Sequence, residues 1–146
     1  MAATISYNST IKIGAVGASD AYTAPTNAVG EVTSISFDGV SQSALEVTQL
    51  TDAVKKFKAG ILDSGSISLE CNLDYDDTNG QVVLAAAVAD RALRSYLISF
   101  GVASTGGMTV SGVGVITGLN VKAGIDAVLT ASFTIKCSAA FTLTAL

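Results

Sequence analysis

Apolar and polar residues alternate most clearly from Ser66 to Tyr75. Ile67, Leu69, Cys71, Leu73 and Tyr75 fall on one face, and Ser66, Ser68, Glu70, Asn72 and Asp74 on the other. A period of two over this length predicts a half-buried β-strand. Val29 to Phe37 is rich in β-branched residues and predicts an earlier strand, which Asp38-Gly39 would close with a tight turn. Ala44 to Leu50 predicts a second strand, with Leu45 and Val47 alternating against Glu46 and Thr48. Ser95 to Val102, Met108 to Leu119 and Ala127 to Cys137 predict three more, with Thr105-Gly106-Gly107 as a turn and Gly112, Gly114 and Gly118 on one strand face.

One segment changes period. Asp76 to Gln81 carries helix-start residues, and Thr78 and Gln81 have the spacing of a capping box. Val82 to Leu93 follows with good helix formers, so a helix is predicted over about 79–93, ending near Ala92 to Ser95. Two stripes are candidates for its buried side: Gln81, Leu84, Ala85 and Val88, or Val82, Ala85, Ala86 and Ala89. The order is strands, one helix, strands, without repeated βαβ units. It predicts a mainly β chain: an antiparallel β-sandwich or split barrel with one flanking α-helix.

Three stretches stand outside this frame. Residues 1–28 read as an N-terminal arm with one short strand, Thr10 to Ile13, or as a disordered terminus, with Tyr7 and Val16 scattered among small residues. Thr51 to Asp63 is a long excursion between strands that gathers Lys55, Lys56 and Lys58 around Phe57. Residues 139–146 read as a C-terminal tail in which Phe141, Leu143 and Leu146 lack an obvious partner. The 146 residues suit one domain, with a β core over 29–138.

Composition adds a constraint. Hydrophobic residues make up 49% of the chain and charged residues 14%, against about 25% charged in an ordinary domain. Such a surface belongs in an interface, or else to a small barrel with a bland exterior. Eight basic and twelve acidic residues give a net charge of −4. That balance argues against a protein that grips nucleic acid through its phosphates, but not against one that lets nucleic acid slide past. The first residues lack a secretory pattern, and the longest apolar run, Val82 to Ala89, is too short for a bilayer, so assembly in the cytoplasm without a membrane is expected. Cys71 and Cys137 are then expected as buried free thiols.

Candidate chemistry is sparse. There is no histidine, which removes the commonest general base and metal ligand. A calcium loop starting at Asp74 would need Gly at 79 and Glu at 85, where Asn79 and Ala85 stand. The aspartates of this run have no second carboxylate cluster to work with as a hydrolase. Gly112 to Gly118 lies inside a strand and not at a helix start, so it does not form a phosphate loop. No catalytic residue, cofactor or metal site is expected.

Gly30 to Ile35, Leu45 to Leu50, Phe57 to Leu69, the acidic helix start Asp74 to Gln81, and Val128 to Lys136 follow one another in a distinctive order. Over about Val32 to Ser138 the chain resembles the major tail tube proteins of long non-contractile phage tails, which are related to other phage tail and secretion tube proteins. The resemblance implies a β-sandwich or split barrel with one helix. It implies stacked hexameric rings whose inner wall is a continuous β-barrel around a conduit for DNA. It implies a non-enzymatic virion protein whose partners are itself, the tail tip, the tape measure and the tail terminator, with double-stranded DNA passing unbound. Some relatives add an immunoglobulin-like domain, which is not expected over these 146 residues. The resemblance also implies that the long loop and the N-terminal arm contact neighbouring subunits and the next ring, so Val54, Phe57 and Leu62 are expected anchors and Lys55, Lys56 and Lys58 are expected to meet acidic partners. Ser66, Ser68, Glu70, Asn72 and Asp74, or Thr130, Ser132 and Thr134, are candidates for the lumen. Alternatives are an inner tube of a contractile tail or secretion apparatus, a β-rich binding or adhesin module, which the absence of Trp disfavours, and a small hydrolase.

Overall fold

The computed structural model describes residues 8–17 and 22–146. Tyr7 lies outside them. Seven strands form one antiparallel sheet, in the order β1 (Thr10–Gly17), β2 (Asn27–Ala28), β3 (Val32–Glu46), β4 (Phe57–Asn72), β5 (Leu93–Phe100), β6 (Met108–Lys122) and β7 (Thr130–Ala145) along the chain. Across the sheet they run β2-β1-β5-β6-β7-β4-β3. Helix α1 (Gln81–Asp90) bridges β4 and β5. The mainly β, antiparallel architecture with one helix is as expected.

The inward positions of distant strands meet in one cluster. Ile11 and Ile13 of β1 share it with Ile67, Leu69 and Cys71 of β4, and with Tyr96, Ile98, Phe133 and Ile135 between them. The sheet must therefore coil until its two ends face a common core. The ends do not join: a groove lined by Val32–Ile35 of β3 and by Asn8, Ser9 and Phe100 separates them. The result is an open barrel whose core is filled from α1 by Leu84 and Ala87.

Several local expectations fail, each for a physical reason. Asp38-Gly39 does not turn the chain. β3 runs through it as one strand, and Gly39 (φ 78°) instead faces Gly65 (φ 80°) on β4, where Asp38 pairs with Ser66 and Val40 with Ser64. A Cβ on Gly39 would lie 3.5 Å from the Gly65 Cα, and one on Gly65 only 2.1 Å from the Asp38 carbonyl oxygen. The two glycines thus make a crease inside a paired ladder. The excursion expected over Thr51 to Asp63 shrinks to a hairpin tip, because β4 already begins at Phe57. β4 ends at Asn72, so Leu73, Asp74 and Tyr75 lie in the following turn and Tyr75 is exposed.

The capping box is absent. The N-cap is Gly80, and no side chain caps the helix from that position. Asp77 Oδ2 accepts instead from the Gln81 N–H at 3.2 Å and the Gly30 N–H at 2.9 Å. Gln81 is 1% exposed. Its Nε2 donates to the carbonyls of Gly30 and Asn72, and its Oε1 accepts from the Asp74 N–H. One amide thus ties β3, β4 and α1 together. The buried helix stripe is Gln81, Leu84 and Ala87, while Ala86 and Ala89 are exposed. Arg91 in the left-handed conformation stops the helix at Asp90.

Other strands are longer than their patterns or displaced from them. β1 continues to Gly17 across a register shift after Ile13, and β5 spans Leu93–Phe100. β7 starts at Thr130 and runs on to Ala145, pairing Leu143 with Val110 and Ala145 with Met108. The residues read as a tail are thus a strand, and Phe141 packs edge-on against Phe37 with ring centres 5.4 Å apart. A bulge between Ile116 and Gly118 turns Gly118 to the outer face opposite Thr134, so the three β6 glycines do not share one side. Gly112 and Gly114 do face inward, against Tyr96 and Ile135.

Candidate assembly surface

Beyond the crease, β3 and β4 leave the sheet as a two-stranded arm. β4 pairs with β7 only from Ser66–Lys136 to Asn72–Thr130, so residues 57–64 pair with β3 alone. The arm base is pinned. The Ser64 hydroxyl donates to the Ala139 carbonyl, and Asp63 Oδ1 accepts from Lys136 Nζ at 2.8 Å and the Gly65 N–H at 2.9 Å. Lys136, and then the Gly65 N–H, hold the Asp63 carboxyl below its usual range.

The tip is also ordered by its own residues. Asp52 accepts from Lys56 Nζ at 2.7 Å and from the Gln49 N–H at 2.8 Å. The Lys56 N–H donates to Thr48 Oγ1, and the Val47 N–H to the Lys56 carbonyl. Lys56, expected to meet an acidic neighbour, therefore has its partner within the loop, and that pair lowers the Asp52 pKa. Lys55 and Lys58 have no acidic partner among the described residues.

The arm is apolar on its outside. Leu50 is fully exposed, Ile61 is 93% exposed, Val54 74% and Phe57 56%, with Leu45 and Leu62 also exposed. The sequence singled out Val54, Phe57 and Leu62. It missed Leu45 and Leu50, because apolar residues at strand positions read as core unless both faces are known to be bare, and it passed over Ile61 within the excursion.

The polar side of β4 belongs to a wider face. Ser66, Ser68, Glu70 and Asn72 lie opposite Lys136, Thr134, Ser132 and Thr130 of β7. On the other side Ser66, Ser68 and Glu70 lie opposite Asp38, Ser36 and Ser34 of β3. Asn120 and Lys122 of β6 extend the face past Ser132 and Thr130. Both candidate lumen sets thus lie on one four-stranded, hydroxyl-rich surface, except Asp74, which lies in the turn beyond β4. Two edges of this unit pair with no strand among the described residues: the outer edge of β3, and Val115–Lys122 of β6 on the side away from β7.

Among the described residues no group of three His, Cys, Asp or Glu side chains could hold a metal. Cys71 and Cys137 are buried free thiols, and burial pushes both pKa values up. Among the described residues no helix is long and apolar enough to cross a membrane.

Known structures share this architecture. A chain from the tail of an empty gene transfer agent particle, refined helically with C6 symmetry, superposes with a TM-score of 0.70 at 15% identity, covering 97% of this chain and 99% of that one. A chain from the sheath/tube terminator of an extracellular contractile injection system in its extended state gives 0.71 at 14% identity, over 99% and 98%. A chain from the tube-terminating cap of the anti-feeding prophage gives 0.67 at 13%, over 100% and 93%. What they share with this chain is the fold. No protein-family model matches the sequence, and no curated protein matches it.

Proposed function

We propose that this chain is a tail tube subunit whose copies close into rings, six to a ring, and stack into a hollow tube through which double-stranded DNA passes. The observation that carries the reading is the four-stranded unit β3-β4-β7-β6, which has a hydroxyl-rich face and an unpaired edge at each side. An exposed strand edge is a template for pairing. Joining the β3 edge of one copy to the β6 edge of the next is a heterologous contact, and rotational symmetry closes it into a ring. The faces then form one inner wall. Serines and threonines keep that wall wet, and Glu70 and Asp38 offset Lys122 and Lys136, so it offers phosphate no positive stripe. The protein acts as structure and not as an enzyme, assembled in the host cytoplasm and carried in a virion tail. A tail tip, a tape measure and a tail terminator are its further partners.

A second reading has an observation in its favour: the contractile-system chains superpose as well as the gene transfer agent chain does. An inner tube of a contractile tail would use the same ring and would add a sheath as partner. Negative-stain imaging of concentrated protein, alone and seeded with a tail tip complex, tests both. Annular or cylindrical particles are expected, and particles that also bind a sheath protein would favour the contractile reading. A monodisperse monomer under every condition would overturn both.

A further inference from the structure

The register places two unlike surfaces at opposite ends of β4. One end is the arm tip, with Leu50, Val54 and Phe57 exposed and with Lys55 and Lys58 unpaired among the described residues. The other lies 15 residues along β4, about 50 Å at strand rise. There the 73–80 turn and the 123–129 loop meet, joined by the Leu73 N–H donating to the Leu129 carbonyl at 2.8 Å. This far end carries Glu31, Glu70, Asp74, Asp76, Asp77 and Asp126, half of the chain's acidic residues. It is also bare of apolar cover: Ile125, Val128, Leu129 and Tyr75 are exposed.

Both ends expose apolar residues, and their charges are opposite: unpaired lysines at the tip and acids at the far end. We propose that the arm tip of one copy seats on the far end of a second copy, a head-to-tail contact along the strand direction. The exposed apolar residues of the tip cover Ile125, Val128 and Leu129, and Lys55 and Lys58 face Asp76 and Asp126. Asp77 is not available, since its carboxylate is committed to the Gly30 and Gln81 N–H groups. A single copy cannot satisfy the contact within itself, because its two ends are a strand length apart. The inference rests on the tube reading and adds to it the receiving surface, which neither the arm nor the sheet edges identify.

Charge reversal tests it on the full chain. Lys55→Glu with Lys58→Glu, and separately Asp76→Lys with Asp126→Lys, should each raise the protein concentration needed for assembly by about tenfold or more. The chain carrying all four changes should recover most of that loss. Far-UV circular dichroism and the unfolding midpoint check that each variant folds. A second measurement avoids reversed charges: Val54→Cys and Val128→Cys together should give a ladder of disulfide-linked multimers under oxidation, and either alone no more than dimers. If wild-type protein forms rings or tubes while the reversals leave assembly unchanged, or the four-fold variant is no better than either pair, or the double-cysteine chain stops at dimers, this contact is wrong and the tube reading stands. If wild-type protein forms no particles at all, the tube reading itself fails.

Discussion

Gln81 shows how one side chain can carry a junction. Its buried amide serves the Asp74 N–H and the carbonyls of Gly30 and Asn72. Gln81→Leu keeps the volume and strands all three backbone groups, so it should destabilise the fold by roughly 2–4 kcal/mol. Urea unfolding followed by circular dichroism measures this, and a loss below about 0.5 kcal/mol would show that water replaces the amide freely. The sequence pointed to Gln81 for a different job. Spacing identified a polar residue at a helix start, but its partners lie up to 51 positions away, beyond any local pattern. The cysteines were legible because a small apolar residue at an inward strand position needs only its own alternation. Desolvation holds both thiols protonated. Native protein at pH 8 should therefore react with a thiol reagent far more slowly than protein in urea, and two fast equivalents in the native state would contradict the buried placement.

The arm is the element whose shape the alternation hides. Ile67, Leu69 and Cys71 of β4 face the core with polar residues between them, and pattern and packing agree there. From Phe57 to Leu62 apolar residues continue, but among the described residues no third strand pairs there. Period two reports a strand and does not say whether either face is covered. Asp38-Gly39 misleads for a related reason: positive φ is what a tight turn needs, and a crease between facing glycines needs it too. The tail was misread because Phe141 finds its partner, Phe37, across the sheet and far along the chain. The arm's ties make it sensitive to acid. Asp52 and Asp63 have folded-state pKa values below the ordinary 3.8, lowered first by Lys56 and Lys136. A depressed carboxylate stabilises the folded form above its unfolded pKa, and that contribution is lost as the pH falls through the folded value. The window therefore lies below pH 3.8, and neutral or alkaline pH should leave these two ties intact. Hydrogen exchange read after a low-pH pulse should show the tip and arm base opening before the β4–β7 ladder. Both carboxylates are exposed, so the effect should be local and should weaken in high salt. Equal protection of arm and ladder down to pH 2 would contradict it.

At the scale of the whole molecule the low charge content takes on a spatial meaning. Most of the exposed large apolar residues lie on the arm and the far end, half of the acids lie at the far end, and the broad face of β3, β4, β7 and β6 is left nearly neutral. If that face lines a bore, symmetry repeats every side chain on it around each ring and along the tube. A change too small to matter in one subunit then becomes a charged stripe. Ser68 and Thr134 are direct cross-strand partners, exposed at the middle of the face and away from the arm, the far end and both free edges. Ser68→Lys with Thr134→Lys should therefore leave the fold and the assembly concentration nearly unchanged. Tubes of the variant should retain duplex DNA at low salt, and the retention should fall steeply as salt rises, because each neutralised phosphate releases a counterion that salt drives back. Wild-type tubes in the same gel-shift series should hold none. The pair of results separates the alternatives. Retention by the variant, with DNA inside the tube by electron microscopy, would put this face on the lumen. Lysines that bind DNA only along the tube's outside would put it on the exterior, and wild-type tubes that already bind with a steep salt slope would mean that the neutral face is not what DNA meets.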